Sequence, residues 1–339
     1  MREAFGQTFD IPAGYLNTAS IGVPPTVAAD AVEAAVRRWR LGADVPPGFD
    51  ADVAAARAAF AALVGVDAAQ VAIGASASQL IALAAASVPD GARVLVPDGE
   101  FTSTTFPFAA LGHRGIKVTE VPLAEVPDAM RDHDVLAASV VQSSDGAVLD
   151  LDAVRRNRAG VTVVLDATQA LGWLPADLAW ADYVVAAGYK WLMTPRGAAW
   201  MALHPDVLDR TLPLVANWYA GEDPWQTVYG LPLRLAGDAR RLDLSPAWFS
   251  HVGAAAVLPW LASLDVEAVR RHNVGLANLF LDRLGLPPGE SAIVSVDANA
   301  TRLAQAGVRH SVRAGRVRLS FALNNTVDDV ELAVRSLLR

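Results

Sequence analysis

The sequence predicts an α/β protein, with a mostly parallel central sheet sandwiched by helices and a small C-terminal α+β unit. Three observations carry this. Short apolar, β-branched runs alternate with helical stretches at the spacing of a parallel sheet. The runs lack polar alternation, as strands covered on both faces do. After Pro287-Pro288-Gly289 the pattern changes to strand, strand, helix over Ala292 to Val296, Arg316 to Phe321 and Val327 to Leu338. At 339 residues, 53% hydrophobic, the chain can bury a sizeable core and predicts two or three packing units. The larger unit is placed at 21–249 and the smaller at 1–20 plus 250–339.

Taken in order, Tyr15 to Ser20 (YLNTAS), backed by Gly22, Pro24 and Pro25, reads as a polar leading loop. Thr26 to Leu41 is an amphipathic helix with Val27, Ala31, Ala35 and Trp39 on one stripe, ended by Gly42 and Pro46-Pro47-Gly48. Asp50 to Val64 follows, with Asp50 as N-cap and Gly65 as the stop. The strand Gln70 to Ile73 runs into Gly74-Ala75-Ser76-Ala77-Ser78 and a helix from Gln79 to Ser87. Small residues there leave backbone N–H groups free to hold a phosphate, although Ser76 or Ser78 serves equally as an ordinary N-cap. The loop is neither a Walker loop nor a G-x-S-x-G elbow.

Strands at Arg93 to Val96, Ile116 to Val121 and Val135 to Val141 alternate with the helices Thr102 to Leu111 and Asp152 to Arg158. The central strand is Val161 to Leu165, followed by Tyr183 to Ala187 and Ala198 to Leu203. Asn217 to Leu235 holds Trp218, Tyr219, Trp225 and Tyr229 without a period. It reads as a long irregular segment, functional or interfacial, with plain core aromatics as the alternative. Helices at Ser250 to Ser263 and Val266 to Leu284 follow.

Val161 to Gly197 concentrates the chemistry. Asp166 stands at the carboxyl end of the central strand, where open α/β sheets place their ligands. Lys190, one of only two lysines with Lys117, follows the next apolar run. An electron-sink cofactor needs such a pair: a lysine for a Schiff base and a carboxylate to keep a ring nitrogen protonated. A turn cap and a surface charge are the bland alternative.

Other classes are disfavoured. A net charge of −8 without a basic block argues against nucleic acid. No cysteine means no disulfide, thiolate metal site or cysteine nucleophile. Six histidines lack H-x-x-x-H spacing, so no metal is expected, and no G-x-G-x-x-G points to a dinucleotide. Without an apolar leader or bilayer-length stretch, the expectation is a soluble cytoplasmic protein.

In this order, the stretches resemble the class V aminotransferase family of pyridoxal-phosphate enzymes (fold type I). YLNTAS resembles the family's Y-L-(D/N)-x-A segment, and Leu165-Asp166-Ala167-Thr168-Gln169-Ala170 its D-(G/A)-(A/S)-Q strand tip. Gly188-Tyr189-Lys190-Trp191-Leu192, with Pro195 and Gly197, resembles the lysine loop. Arg318-Leu319-Ser320, Asn325-Thr326 and Asp328-Asp329-Val330 resemble the C-terminal signature. The resemblance spans nearly the whole chain. It implies pyridoxal 5'-phosphate as cofactor, an amino-acid or amine substrate, and a homodimer with its active site at the subunit interface. It implies aminotransferase-type chemistry at Cα, with Cβ lyase or epimerase activity as alternatives and a noncatalytic protein as the weakest.

The resemblance also assigns roles. Lys190 forms the Schiff base and moves the Cα proton; Asp166 pairs with the pyridinium nitrogen; Gln169 approaches the ring's phenolic oxygen. Ser76, Ala77 and Ser78 hold the phosphate, and Phe101 stacks on the ring. Ser144 or Ser143 stands where some relatives have Asn near the ring oxygen. Arg318 binds the α-carboxylate, with Asn17, Ala19 and Ser20 beside it on the substrate side. Ser245 reaches a neighbouring subunit's phosphate. The chain departs from the pattern at Ala187 and Tyr189, where many members carry Ser and His as phosphate ligands; the Tyr189 hydroxyl is the expected substitute. The missing cysteine rules out the desulfurase branch's persulfide mechanism, and Arg313-Ala314-Gly315 resembles the epimerase-like and kynureninase-like branches. An epimerase needs a second acid opposite Lys190, for which Tyr15, Tyr219 and His251 are the candidates.

Overall fold

The computed structural model describes residues 1–338. A hairpin of β1 (Arg2–Ala4) and β2 (Gln7–Phe9) precedes α1 (Thr26–Arg40) and α2 (Asp50–Val64). Next come β3 (Val71–Gly74), α3 (Ala77–Ser87), β4 (Arg93–Pro97), α4 (Thr102–Ala109) and β5 (Lys117–Val121). The short α5 (Val126–Ala129), β6 (Val135–Ser139), α6 (Leu151–Asn157), β7 (Thr162–Asp166), β8 (Tyr183–Ala187) and β9 (Ala199–Leu203) follow. Beyond α7 (Pro205–Leu208) lie α8 (Trp248–Ser263) and α9 (Val266–Arg283). The last elements are β10 (Ile293–Val296), α10 (Ala300–Gln305), β11 (Ser311–Arg313), β12 (Arg316–Ser320) and α11 (Val327–Leu338).

The large sheet has seven strands in the order β3-β9-β8-β7-β6-β4-β5. From β5 to β8 every pairing is parallel, and β9 runs antiparallel to both its neighbours. The reversal has a local cause. Parallel neighbours need a crossover, usually a helix, whereas β8 and β9 are joined by the irregular loop Gly188 to Ala198, which carries Lys190. The inner strands are buried along their length and the edge strand β5 is half exposed, which fits apolar runs in the first and alternation in the second. One apolar core fills the face shared with α2 and α8, around Phe60, Leu165 and Trp200; the other lies under α3 and α4, around Leu80, Val96 and Phe108.

β10, β12 and β11 form a separate antiparallel sheet whose core joins α9, α10 and α11 and takes in Leu16. The leading segment is tied to this unit. Asn17 bridges Ser320, the Leu16 N–H donates to the Arg309 carbonyl, and Arg2 makes a bidentate pair with Asp329 at 2.6 and 2.8 Å. α8 packs against α1 and α2, while α9 packs against α11.

Several elements differ from expectation. The helix expected from Gln79 begins at Ala77, because the Ser76 side chain accepts the Gln79 N–H and caps it. The strand expected to reach Val141 stops at Ser139, where the chain turns toward a buried carboxylate. β11 was not expected; it pairs with β12 through a two-residue turn, Ala314 and Gly315, both at positive φ. Asn217 to Leu235 is irregular, as expected, apart from one short helical turn and a Gly221–Leu235 bridge. No single helix among the described residues is long and apolar enough to cross a bilayer.

Candidate active site

The site forms at the carboxyl ends of β6, β7 and β8. Register places Ser139 beside Asp166, so the tips of adjacent strands meet side by side. Asp166 is buried and accepts the Thr168 N–H at 2.8 Å. Burial pushes its carboxyl up from the usual range, opposed by the Thr168 hydrogen bonds and the charge of Lys190. Lys190 is buried as well, and burial brings its amine down to about 8. Asp166 opposes that fall, whereas Arg318, Arg313 and Arg196 reinforce it. An amine so placed gives up its proton near pH 8 rather than above 10, which makes it a better candidate nucleophile than an ordinary lysine.

Aromatic rings surround the amine. Lys190 Nζ lies 5.2 Å from the Phe101 ring centroid and 5.8 Å from that of Tyr189, and the Arg196 guanidinium stands 5.0 Å over the Tyr189 ring. Phe101 is 42% exposed, a bare ring beside a buried lysine.

Arg318 reaches the same place from β12. Its side chain donates to Ser143 O (2.5 Å), Ser143 Oγ (3.1 Å), Ser20 Oγ (2.8 Å) and Ser311 Oγ (3.1 Å). All these acceptors are neutral, and among the described residues no carboxylate lies within 4.0 Å. Burial lowers its pKa to about 10, with Arg313 adding to the fall. A buried cation without a counter-ion suits an incoming anion. Asn17 Oδ1 nearby is buried and unpartnered.

Gln169 is a tie within the protein. Its amide nitrogen donates to Ala19 O (3.0 Å) and Ser143 Oγ (3.2 Å), and its oxygen accepts from Trp191 Nε1 (2.8 Å). Both amide hydrogens are occupied, so the contact expected with a ring oxygen requires that one be displaced. Of the two serines considered, Ser143 is the one in this network; Ser144 is half-buried beside it. At the other end of the site, α3 starts with Ala77 and Ser78. The N–H groups of a helix's first turn have no partner inside the helix, and Ser76 takes that of Gln79. Ser76 and Ser78 hydroxyls lie 3.3 Å apart.

Some expected residues stand apart. Ser245 is exposed, next to Leu244, whose N–H is held by Ile73 O at the base of the α3 loop. Tyr15 donates its hydroxyl to Ile21 O and Tyr219 donates to Asp50. His251 is fully buried edge-on against Trp200, with both ring nitrogens unpartnered and burial holding its pKa at about 3. Other residues in the site were not anticipated. Glu100, Ser139, Gln142 and Trp191 join its hydrogen-bond network, and Gly22 lets the leading loop pass the lysine loop. Its N–H donates to Tyr189 O, and a Cβ there would fall 2.0 Å from Lys190 O. The Glu100 signal was its position directly before Phe101 at a strand end.

A family model described as aminotransferase class-V matches residues 47–309, well over half of the chain. The protein belongs to the class V aminotransferase family. The match stops short of Arg318 and of the leading loop, which the structure brings to the same site. The chain is 28% identical to the kynureninase of Deinococcus radiodurans, over 89% of its own length and 79% of that protein. It is 27% identical to the isopenicillin N epimerase of Streptomyces clavuligerus, over 63% of its length and 58% of the relative. A solved structure of the cystine C-S lyase C-DES in complex with its reaction product, cysteine persulfide, superposes with a TM-score of 0.85 at 19% identity, covering 95% of this chain and 96% of that one. The class V fold expected from the sequence, fold type I of the pyridoxal-phosphate enzymes, is therefore the one observed. A buried low-pKa lysine, a buried carboxylate, a bare aromatic face, an open helix start and an uncompensated arginine fit that cofactor and a carboxylate-bearing substrate.

Proposed function

We propose that the protein is a pyridoxal-phosphate enzyme that grips an amino acid by its α-carboxylate and moves a proton at Cα, in aminotransferase-type chemistry, as a homodimer. The observation that carries this reading is the convergence of Lys190, Asp166 and Arg318, from three separate elements, beside the bare face of Phe101. The cofactor, when bound, supplies an aldehyde for an amine to condense with and a protonated ring that draws electrons from Cα.

The chain's residues do the rest. Lys190 would hold the cofactor through its aldehyde and, when its amine is free, would take and return the Cα proton, a task suited to a pKa of about 8. Asp166 keeps the ring nitrogen protonated from a site that water does not reach. Ser76, Ala77 and Ser78 hold the phosphate, with Tyr189 beside them and Ser245 reaching across from a second copy. Arg318 orients the carboxylate with a planar fork that an ammonium cannot reproduce. Asn17, Ala19 and Ser20 line the substrate side.

Cβ cleavage is the second reading, favoured by the likeness to a kynureninase and to the fold of a C-S lyase. Epimerisation has less support, because Tyr15, Tyr219 and His251 are occupied or buried elsewhere. Purified protein should be yellow, and borohydride should fix the cofactor to the peptide bearing Lys190; a modified Lys117 peptide would overturn the site. Incubation with an amino-acid panel then separates the reactions. A keto acid with aminated cofactor indicates transamination, loss of the side chain or release of pyruvate and ammonia indicates lyase chemistry, and an inverted stereocentre indicates epimerisation.

A further inference from the structure

Glu100 is 7% exposed and sits between the end of β4 and the start of α4, directly before Phe101. Oε1 accepts the Phe101 N–H at 2.7 Å and the Ser139 hydroxyl at 2.5 Å. Oε2 accepts the Ser139 N–H at 2.7 Å and Gln142 Nε2 at 2.9 Å. Among the described residues it has no ion-pair partner. A buried carboxylate is tolerated when donors replace water, and four donors do so here. Burial pushes its carboxyl up and the four hydrogen bonds oppose that.

The donors matter for what they carry. Phe101 offers its ring beside Lys190. Ser139 pairs in register with Asp166. Gln142 precedes Ser143, which takes Arg318 on both its carbonyl and its hydroxyl and also holds Gln169. One carboxylate thus links the ring face to the arginine that awaits an anion.

We propose that Glu100 is a positioning residue that fixes the Phe101 ring and the Ser143–Arg318 clamp as one unit, so that cofactor affinity and recognition of the substrate carboxylate depend on it together. The proposal rests on the pyridoxal-phosphate reading. It does not depend on which reaction follows.

Glu100→Gln is the informative change. Whichever way the amide is turned, its nitrogen faces a backbone N–H, of Phe101 or of Ser139, and that donor loses its acceptor. The test measures cofactor affinity and, in the loaded enzyme, the dissociation constants of L-alanine and ethylamine by cofactor absorbance. The ratio of the ethylamine constant to the L-alanine constant reports carboxylate recognition alone. Glu100→Gln should lower that ratio by about tenfold and weaken cofactor binding as well, as expected for lost hydrogen bonds to a charged group. In that background Phe101→Leu should cost less cofactor affinity than in wild type, the mark of a coupled pair. If Glu100→Gln does not fold, Gln142→Leu serves, since it leaves three donors in place; it should lower the ratio by about threefold. A folded variant with an unchanged ratio overturns the proposal, as does full additivity with Phe101→Leu. Wild-type protein that takes up no cofactor overturns the parent reading and this one together. Normal uptake with an unchanged variant overturns this one alone.

Discussion

The floor and the rim of the candidate site are built differently. The floor consists of Asp166, Gln169, Lys190, Trp191 and Arg318, all buried; hydrogen-bond partners from the same chain hold every one but Lys190, which lies between aromatic rings. The rim consists of the Ala75–Ser78 loop, Phe101 and Tyr189, partly or fully exposed in places and with few side-chain bonds. A preorganised floor fixes groups that must meet reacting atoms to within fractions of an ångström. An open rim suits groups completed by something outside the chain, such as the phosphate and ring of the proposed cofactor.

The comparison predicts graded costs. Lys190→Ala, on the floor, should abolish turnover by about a thousandfold or more, since nucleophile and base are lost together; steady-state rates check it. Arg318→Ala should lower kcat/KM for α-amino acids by about a hundredfold, mainly through KM, and Arg318→Lys should recover little of it, because an ammonium replaces a bidentate fork. Unchanged KM in both would remove the carboxylate role.

Lys190 also makes a pH prediction for the cofactor-free protein. Its folded pKa of about 8 lies below the ordinary 10.5. Below about pH 8 both folded and unfolded states carry the charge, and the folded state bears the full burial cost, roughly 3 kcal/mol at 1.36 kcal/mol per unit. Between about 8 and 10.5 the folded amine releases its proton first, so stability rises with pH through that window. Denaturant melts across it should show the rise in wild type and a flatter profile in Lys190→Met.

Smaller effects sharpen the contrast. Trp191→Phe orphans the Gln169 oxygen and should cost about 1–2 kcal/mol of stability. Ser78→Ala, on the rim, should leave stability within about 0.5 kcal/mol and weaken cofactor binding only about threefold. A rim change as costly to stability as the Trp191 change would dissolve the distinction.

Legibility in the sequence followed physical visibility. Inner strands were readable because burial on both faces leaves an unbroken apolar run. Asp166 and Lys190 were readable because polar groups at the ends of such runs are conspicuous. β11 was not, being three residues long with Val312 half exposed. Glu100 was missed because an acid in Pro-Asp-Gly-Glu looks solvated; three of its four donors lie 39 and 42 positions further on. The tie made by Gln169 was equally hidden, since one partner, Ala19, is 150 positions away. Local pattern reveals elements, whereas satisfaction of buried polar groups is a property of the assembled chain.

The attachment of the leading segment to the last sheet has a consequence for synthesis. Ser20 is made 298 residues before Arg318, yet they meet at 2.8 Å. A nascent chain can assemble the seven-stranded sheet, with Asp166 and Lys190 in place, long before its anion clamp exists. Lys190 is therefore made and seated ahead of Arg318, the cation that the proposed function assigns to the substrate carboxylate.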